Sequence, residues 1–177
     1  ANLLDSVYFV GLGIGSAWLG GLSDSIGRRK AFIISNLMVS VATLGSAAAP
    51  TYIVYIILHS GVGFGVGALG CTAYVYNAEF MGAAWQGPTG VAHSGGVFAI
   101  GGLVLAGLAY LIPGWRLLTA VIGLFPLLVL LLCSQLPESP RWLHVQGRVD
   151  AATSVMQHIA KKNRTEISQE LVLVPAI

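Results

Sequence analysis

Charged residues are scarce in this chain of 177 residues, of which they make up only 9%. So little charge excludes an ordinary water-soluble domain, in which about 25% of the residues are charged. Nine lysines and arginines face seven acidic residues, a net charge of only +2, which excludes the basic surface of a nucleic-acid-binding protein. The composition therefore predicts a chain that lies in a lipid bilayer.

Cysteine is also scarce, since the chain has only two, Cys71 and Cys133. Both lie within apolar stretches, where cysteine commonly serves as a small packing residue, so no disulfide framework is predicted. No group of cysteine, histidine and acidic residues has the spacing of a metal site. We therefore expect neither a metal nor a cofactor.

Apolar residues are abundant, at 55% of the chain, and they form runs close to the roughly 20 residues that a helix needs to cross a bilayer. Backbone amides in lipid must pair within their own segment, so each run predicts a helix. The predicted spans cover residues 3–22, 31–49, 52–76, 89–112 and 117–136. Residues 1–136 thus form the predicted membrane domain, which leaves 137–163 as a loop and 164–177 as a tail.

The cations fall mainly on one side of these five spans. Arg28 to Lys30 follow the first span, and all the other cations except Arg116 follow the fifth. The positive-inside rule then puts both regions in the cytoplasm and the N-terminus outside. A chain that starts outside without a signal segment indicates a fragment that has lost an upstream helix.

Two short charged motifs lie at these predicted cytoplasmic boundaries. The first, GGLSDSIGRR at residues 20–29, resembles the loop between helices two and three of the major facilitator superfamily. The matching residues are Gly20, Asp24, Gly27, Arg28 and Arg29. In that family the loop is understood to latch two halves together, so the resemblance implies a cytoplasmic gating loop.

The second motif, PESPRW at residues 137–142, resembles the segment after helix six in sugar porters and organic-ion transporters of that superfamily. Pro137 and Pro140 bracket Glu138 and Ser139, which are placed to cap a short helix. Residues 148–162 follow with an apolar face at helical spacing, which predicts an amphipathic helix under the bundle. We expect a cytoplasmic charge cluster made by Glu79, Glu138 and Arg141.

Two further stretches, GCTAYVYNAEFMG at 70–82 and QGRVDAATSVMQHIAKKN at 146–163, resemble plant-type organic cation and carnitine transporters. The resemblance implies an all-α bundle that is part of an N-terminal six-helix half. It implies a transporter of small organic ions that works by alternating access, with no enzymatic activity. The partners would be the substrate, the bilayer, and the first helix and C-terminal half of a longer parent chain. The location would be a plasma or vacuolar membrane.

Three positions depart from the family pattern, because Ser25, His59 and Gln86 stand where relatives carry arginine. Each loss removes a cation, so Asp24 or Glu79 is expected to be less firmly paired. His59 is a candidate proton relay, although a histidine hydrogen-bonded between helices is the plainer interpretation. The substrate-binding residues are unknown at this stage.

Several alternatives remain open. A sugar/proton symporter of the same superfamily would carry the same hexamer, and a truncated membrane protein would transport nothing. An intramembrane serine protease would need Ser94 as nucleophile with a base from a separate helix, for which His59 is the only plausible residue, and no G-x-S-G motif is present.

Glycine is frequent, with 23 residues. Gly65, Gly67 and Gly70 match the spacing of a dinucleotide-binding turn, but no strand precedes them. The glycines instead predict close helix packing. The pairs concerned are Gly11 and Gly15, Gly63 and Gly67, Gly95 and Gly96, and Gly101 and Gly102.

Overall fold

The computed structural model of the chain describes residues 2–133 and 135–163, and every secondary-structure element in these residues is a helix. The helices, in chain order, are α1 (Asn2–Ile26), α2 (Arg28–Ala47), α3 (Tyr52–Phe80), α4 (Ala83–Val91), a π-helical segment (Ala92–Val97), α5 (Phe98–Leu111), α6 (Trp115–Cys133), α7 (Pro140–Val145) and α8 (Val149–Asn163). The described residues contain no strand, which confirms the predicted all-α fold.

Five helices are long and apolar enough to cross a membrane, as predicted. They comprise α1, α2, α3, the continuous helix from α4 to α5, and α6. Their ends differ from the ends of the apolar runs: α1 continues to Ile26, α3 continues to Phe80, and the helix that contains the fourth span starts at Ala83 rather than at residue 89. Helical hydrogen bonds extend past the apolar core into the polar boundary, so hydropathy alone underestimates these helices.

Helices α1 and α3 pack together through glycine. A Cβ atom added to Gly11 or Gly15 would overlap the backbone carbonyl oxygen of Ser60 or Phe64 on α3. Gly63 and Gly67 meet the backbone of α1 in the same way. In lipid, where apolar surface gives little drive for helix association, such close backbone approach supplies the van der Waals contact that holds helices together.

Helix α2 turns a polar face into the bundle, between α3 and α6. Its buried uncharged polar side chains are Ser35, Asn36, Ser40, Thr43 and Ser46. Most of these groups donate to the carbonyl four residues earlier on their own helix. The Ser40 hydroxyl instead donates to the Gly123 carbonyl oxygen of α6 at 2.5 Å. Small hydroxyl residues therefore allow close packing while their hydrogen bonds remain satisfied.

The fourth span is different, because α5 has no buried residue. Nothing lies within 4 Å of a Cβ atom added to Gly95, Gly96, Gly101 or Gly102, so the prediction that these glycines pack against another helix is wrong within the described residues. Large side chains such as Phe98, Leu103 and Tyr110 are more than 70% exposed. Together they make this span an apolar surface along its length.

Beyond α6, the chain forms the two helices that the hexamer and the amphipathic pattern predict. Helix α7 starts at Pro140, and α8 buries Ala152 while keeping Asp150 exposed. Val149, the first residue of α8, is 41% exposed. The tail at 164–177 and the side chains of His93 and Ser94 lie outside the described residues.

Replacement of Gly15 by alanine tests the packing of α1 on α3. The new methyl group would overlap the Phe64 carbonyl and force the helices apart, so we expect a loss of about 1–3 kcal/mol in the free energy of unfolding. The matched control is Gly13→Ala on the same helix, where nothing lies within 4 Å. Unfolding in detergent, followed by circular dichroism, measures both. Equal stability of the two variants would contradict the packing.

Candidate functional site

The two charged motifs meet at one end of the bundle, here called the charged end and defined by Asp24, Arg28, Glu79 and Glu138. The link between α1 and α2 there is a single residue, Gly27, with a φ of 100°. Residues that carry a side chain rarely adopt this backbone conformation, so glycine is favoured. A Cβ atom at Gly27 would also lie 2.6 Å from Oε2 of Glu138, which is 111 positions further along the chain.

Arg28 is the central cation of the charged end. Its Nη2 lies 2.9 Å from Oε1 of Glu79, and its Nε donates to both oxygens of that carboxylate at 3.1 and 3.2 Å. Its Nη1 lies 2.5 Å from Oδ1 of Asp24. The guanidinium therefore has one carboxylate on α3 and a second one turn back, at the end of α1.

The two carboxylates differ in their burial. The side chains of Arg28 and Glu79 are only 10% and 8% exposed, whereas that of Asp24 is 70% exposed. A buried arginine cannot lose its proton, so it needs a buried counter-charge and aligned hydrogen bonds. Glu79 supplies both, while Asp24 is a partner that solvent or a moving segment can reach.

Glu138 joins the hexamer to the start of α2. Its Oε1 accepts hydrogen bonds from the backbone N–H groups of Arg29 and Ser139, both at 3.0 Å. A carboxylate at this position is favoured, since the first turn of a helix has unpaired N–H groups and a positive dipole end. The Ser139 hydroxyl accepts from the backbone of Trp142 at 3.2 Å, which caps α7 as the sequence predicts.

Two aromatic side chains complete the junction between the motifs. Nε1 of Trp142 donates to the carbonyl oxygen of Asp24 at 2.7 Å, so α7 is fastened to the end of α1. The hydroxyl of Tyr76 on α3 donates to the carbonyl oxygen of Pro137 at 2.5 Å. We call this set of contacts between residues 137–142 and α1, α2 and α3 the motif junction.

Other residues predicted from the sequence lie elsewhere. Gly20 lies inside α1, where its missing side chain makes room for the Cys71 sulfur of α3. Arg141 is exposed and makes no ion pair among the described residues, so the structure does not bring it together with Glu79 and Glu138. His59 lies between the rings of Tyr8 and Tyr55, with centroids 5.3 and 5.4 Å away.

His59 is also separated from the charged end, because it precedes Glu79 by 20 residues on α3, or about 30 Å of helix. A direct proton exchange between the two is therefore excluded by distance. The arginines missing at Ser25 and Gln86 leave neither carboxylate unpaired, since Arg28 contacts both Asp24 and Glu79. Gln86 donates instead to the carbonyl oxygen of Ala78 at 3.2 Å.

Sequence reasoning missed the contacts that Tyr76 and Trp142 make. Trp142 ends the PESPRW hexamer, and its indole binds the end of α1. Tyr76 lies in an aromatic-rich part of α3, and no pattern in that part distinguishes it from packing residues. In both cases the partner is a backbone carbonyl, which a sequence pattern does not reveal.

Five spanning helices with a charged junction at one end define an integral, multi-pass membrane protein. The sequence pattern of the family described as "Sugar (and other) transporter" matches residues 2–173. The chain therefore belongs to that family, within the major facilitator superfamily, as its two motifs predict.

Relatives and solved structures agree with this membership. The chain is 35% identical over 174 residues to "Organic cation/carnitine transporter 4" of Arabidopsis thaliana, a match that covers 97% of this chain and 33% of that protein. It is 35% identical over 167 residues to "Organic cation transporter protein" of Drosophila melanogaster, covering 94% and 30%. The proton:xylose symporter XylE bound to 6-bromo-6-deoxy-D-glucose superposes with a TM-score of 0.79 at 25% identity, over 87% of this chain and 38% of that one.

The chain spans about a third of the length of the curated relatives it matches. All of these relatives and the solved structure are transporters by name.

A comparison of Glu79→Gln with Asp24→Asn tests the division between the two carboxylates. Loss of the Glu79 charge leaves the buried Arg28 without a buried counter-charge, so we expect a loss of about 3 kcal/mol or more in the free energy of unfolding. Asp24 is mostly exposed, and its replacement is expected to lower stability by about 1 kcal/mol or less. Thermal unfolding in detergent measures both, and equal losses would contradict the assignment.

Gly27→Ala tests the motif junction, with Gly147→Ala as the matched control. Both glycines have positive φ, at 100° and 74°, and Gly27 combines it with a ψ of 151°, a region essentially restricted to glycine, so both variants are strained by about 1–3 kcal/mol. Only at Gly27 would the new methyl group meet another group, the carboxylate of Glu138. We therefore expect Gly27→Ala to be the less stable variant and to be cut faster by protease within residues 137–148.

If the two glycine variants unfold at the same temperature and resist protease equally, Glu138 does not pack against Gly27 in the folded protein.

Proposed function

We propose that the chain is part of a secondary active or facilitative transporter of small organic ions, and that this transporter works by alternating access. The observation that carries the proposal is the charged end, where one buried arginine has a fixed partner in Glu79 and an exposed partner in Asp24. A latch must hold in one state and release in another. An exposed ion pair is worth about 0–1 kcal/mol, which suits a contact that is exchanged in each cycle.

The motif junction supports this role for the charged end. Glu138 and Trp142 fasten the segment after α6 to the ends of α1 and α2. Movement of one helix end is therefore passed to the others, so that the bundle can rock as a rigid unit. In the proposed gating loop, Gly20 and Gly27 give close packing and a tight turn, Asp24 is the exposed carboxylate that exchanges between Arg28 and the other half, and the Arg29 backbone holds Glu138.

The substrate class is proposed from similarity. Relatives at about 35% identity over nearly the whole chain are named as organic cation or carnitine transporters. Organic cations bind aromatic faces, and Tyr74 on α3 and Phe98 on α5 are both exposed and available for such contacts. We therefore propose a small organic cation or zwitterion as the substrate.

The proposed transporter needs more chain than these 177 residues. The exposed apolar surface of the fourth span favours a further helix, and a substrate cavity in this superfamily lies between two halves. We propose that a first helix and a C-terminal half belong to the parent chain. The charged end, with Arg29 and Lys30 following Arg28 in the sequence, then faces the cytoplasm, in a plasma or vacuolar membrane.

A sugar/proton symporter is the second candidate, because the family description names sugar and the superposed structure is a xylose symporter. The relatives named for organic cations share more sequence with the chain, 35% against 25%, and they favour the first candidate.

Uptake by cells that express the full-length parent tests the proposal. We expect saturable uptake of radiolabelled carnitine or of a small quaternary amine, and no uptake of labelled xylose. Asp24→Asn should lower the maximal rate severalfold while surface expression stays the same, because the exposed latch is weakened and the fold is kept. The matched control is Asp150→Asn, an exposed acidic residue outside the charged end.

Absence of saturable uptake for every organic ion tested would contradict the proposed function. If the Asp24 variant takes up substrate as fast as the control variant, Asp24 does not act as a latch in the transport cycle.

A further inference from the structure

The end of the bundle opposite the charged end holds a cavity of about 490 Å³, within the range of small-molecule sites. It lies where α2 ends, α3 begins and α6 begins. Three aromatic residues line it, Tyr52, Tyr55 and Trp115, together with Arg116. Tyr52 and Trp115 are more than half exposed, so the cavity is open to its surroundings.

The rings are arranged as a connected group. The Tyr55 and Trp115 rings meet edge to face with centroids 5.8 Å apart, and the guanidinium carbon of Arg116 lies 5.1 Å from the Trp115 centroid. Nη2 of Arg116 donates to the carbonyl oxygen of Ala49 at 3.2 Å, which fixes the guanidinium at the rim. Arginine has five N–H donors, so donors are left for an anionic group.

The charge of the cavity selects its ligand. Aromatic faces attract quaternary ammonium groups, but Arg116 is the only charged residue among those that line this cavity and would repel a bare cation. A ligand that carries a phosphate next to its ammonium group suits both the aromatic rings and the arginine, because the phosphate pairs with Arg116 while the ammonium group meets the tyrosine rings.

The position of the cavity selects the source of that ligand. Tyr52 and Trp115 are the first residues of two spans, at the level where aromatic side chains meet lipid headgroups. We propose that this cavity binds the phosphocholine headgroup of a membrane lipid. The proposal is independent of the transport activity proposed above.

Native mass spectrometry of the full chain in detergent tests the proposal by titration with phosphatidylcholine, phosphatidylethanolamine and phosphatidylglycerol of equal acyl chains, and with soluble phosphocholine. We expect phosphatidylcholine to bind about fivefold more tightly than phosphatidylethanolamine. Tyr52→Leu should remove this preference, and Arg116→Gln should weaken both lipids about tenfold. Tyr110→Leu is the matched control, an exposed tyrosine near the same end but outside the cavity.

Equal binding of the two zwitterionic lipids by the unaltered chain, stronger binding of phosphatidylglycerol, or an effect of Tyr110→Leu as large as that of Tyr52→Leu would each overturn the proposal. Soluble phosphocholine that binds as tightly as the lipid would assign the cavity to a free ligand and overturn its assignment to lipid. Circular dichroism checks that each variant is folded. If Arg116→Gln does not fold, the loss of preference in Tyr52→Leu decides the question alone.

Discussion

The charged end depends on one buried cation, Arg28, which the fold holds at the boundary of the spanning helices. An arginine cannot give up its proton to escape burial, so the protein must bring a carboxylate to it. Glu79, with a side chain only 8% exposed, meets this demand from α3. The pair therefore fixes how the start of α2 lies against the end of α3, and the rest of the charged end is arranged around that contact.

The single-residue link at Gly27 and the motif junction follow from the same constraint. Because only Gly27 separates α1 from α2, Asp24 stands four residues before Arg28 and reaches its guanidinium from the exposed side. The same tight link leaves room for Glu138 to accept from the first turn of α2. Further from the charged end, glycines keep α1 and α3 in close contact, so that a change at the charged end is transmitted along rigid helices.

Part of this arrangement could be predicted from the sequence. The apolar runs give five spans, the cations put both motifs at one end, and Ser139 is recognisable as a helix cap, because these features depend on composition and local spacing. The pairing of Arg28 with Glu79, 51 residues away, and the hydrogen bond from Trp142 to Asp24 depend on which helices are neighbours. The length of an apolar run does not say which helices are neighbours. The sequence therefore predicts packing at Gly101 and Gly102, where the structure leaves open space.

The central claim is that Arg28 and Glu79 stabilise the fold as a pair. A double-mutant cycle with Arg28→Met, Glu79→Met and the double variant, followed by unfolding in detergent, measures their coupling directly. Each single variant leaves one buried charge without its buried partner and should lose about 3–5 kcal/mol, whereas the double variant removes both charges and should be more stable than either. Losses that simply add in the double variant would contradict the account.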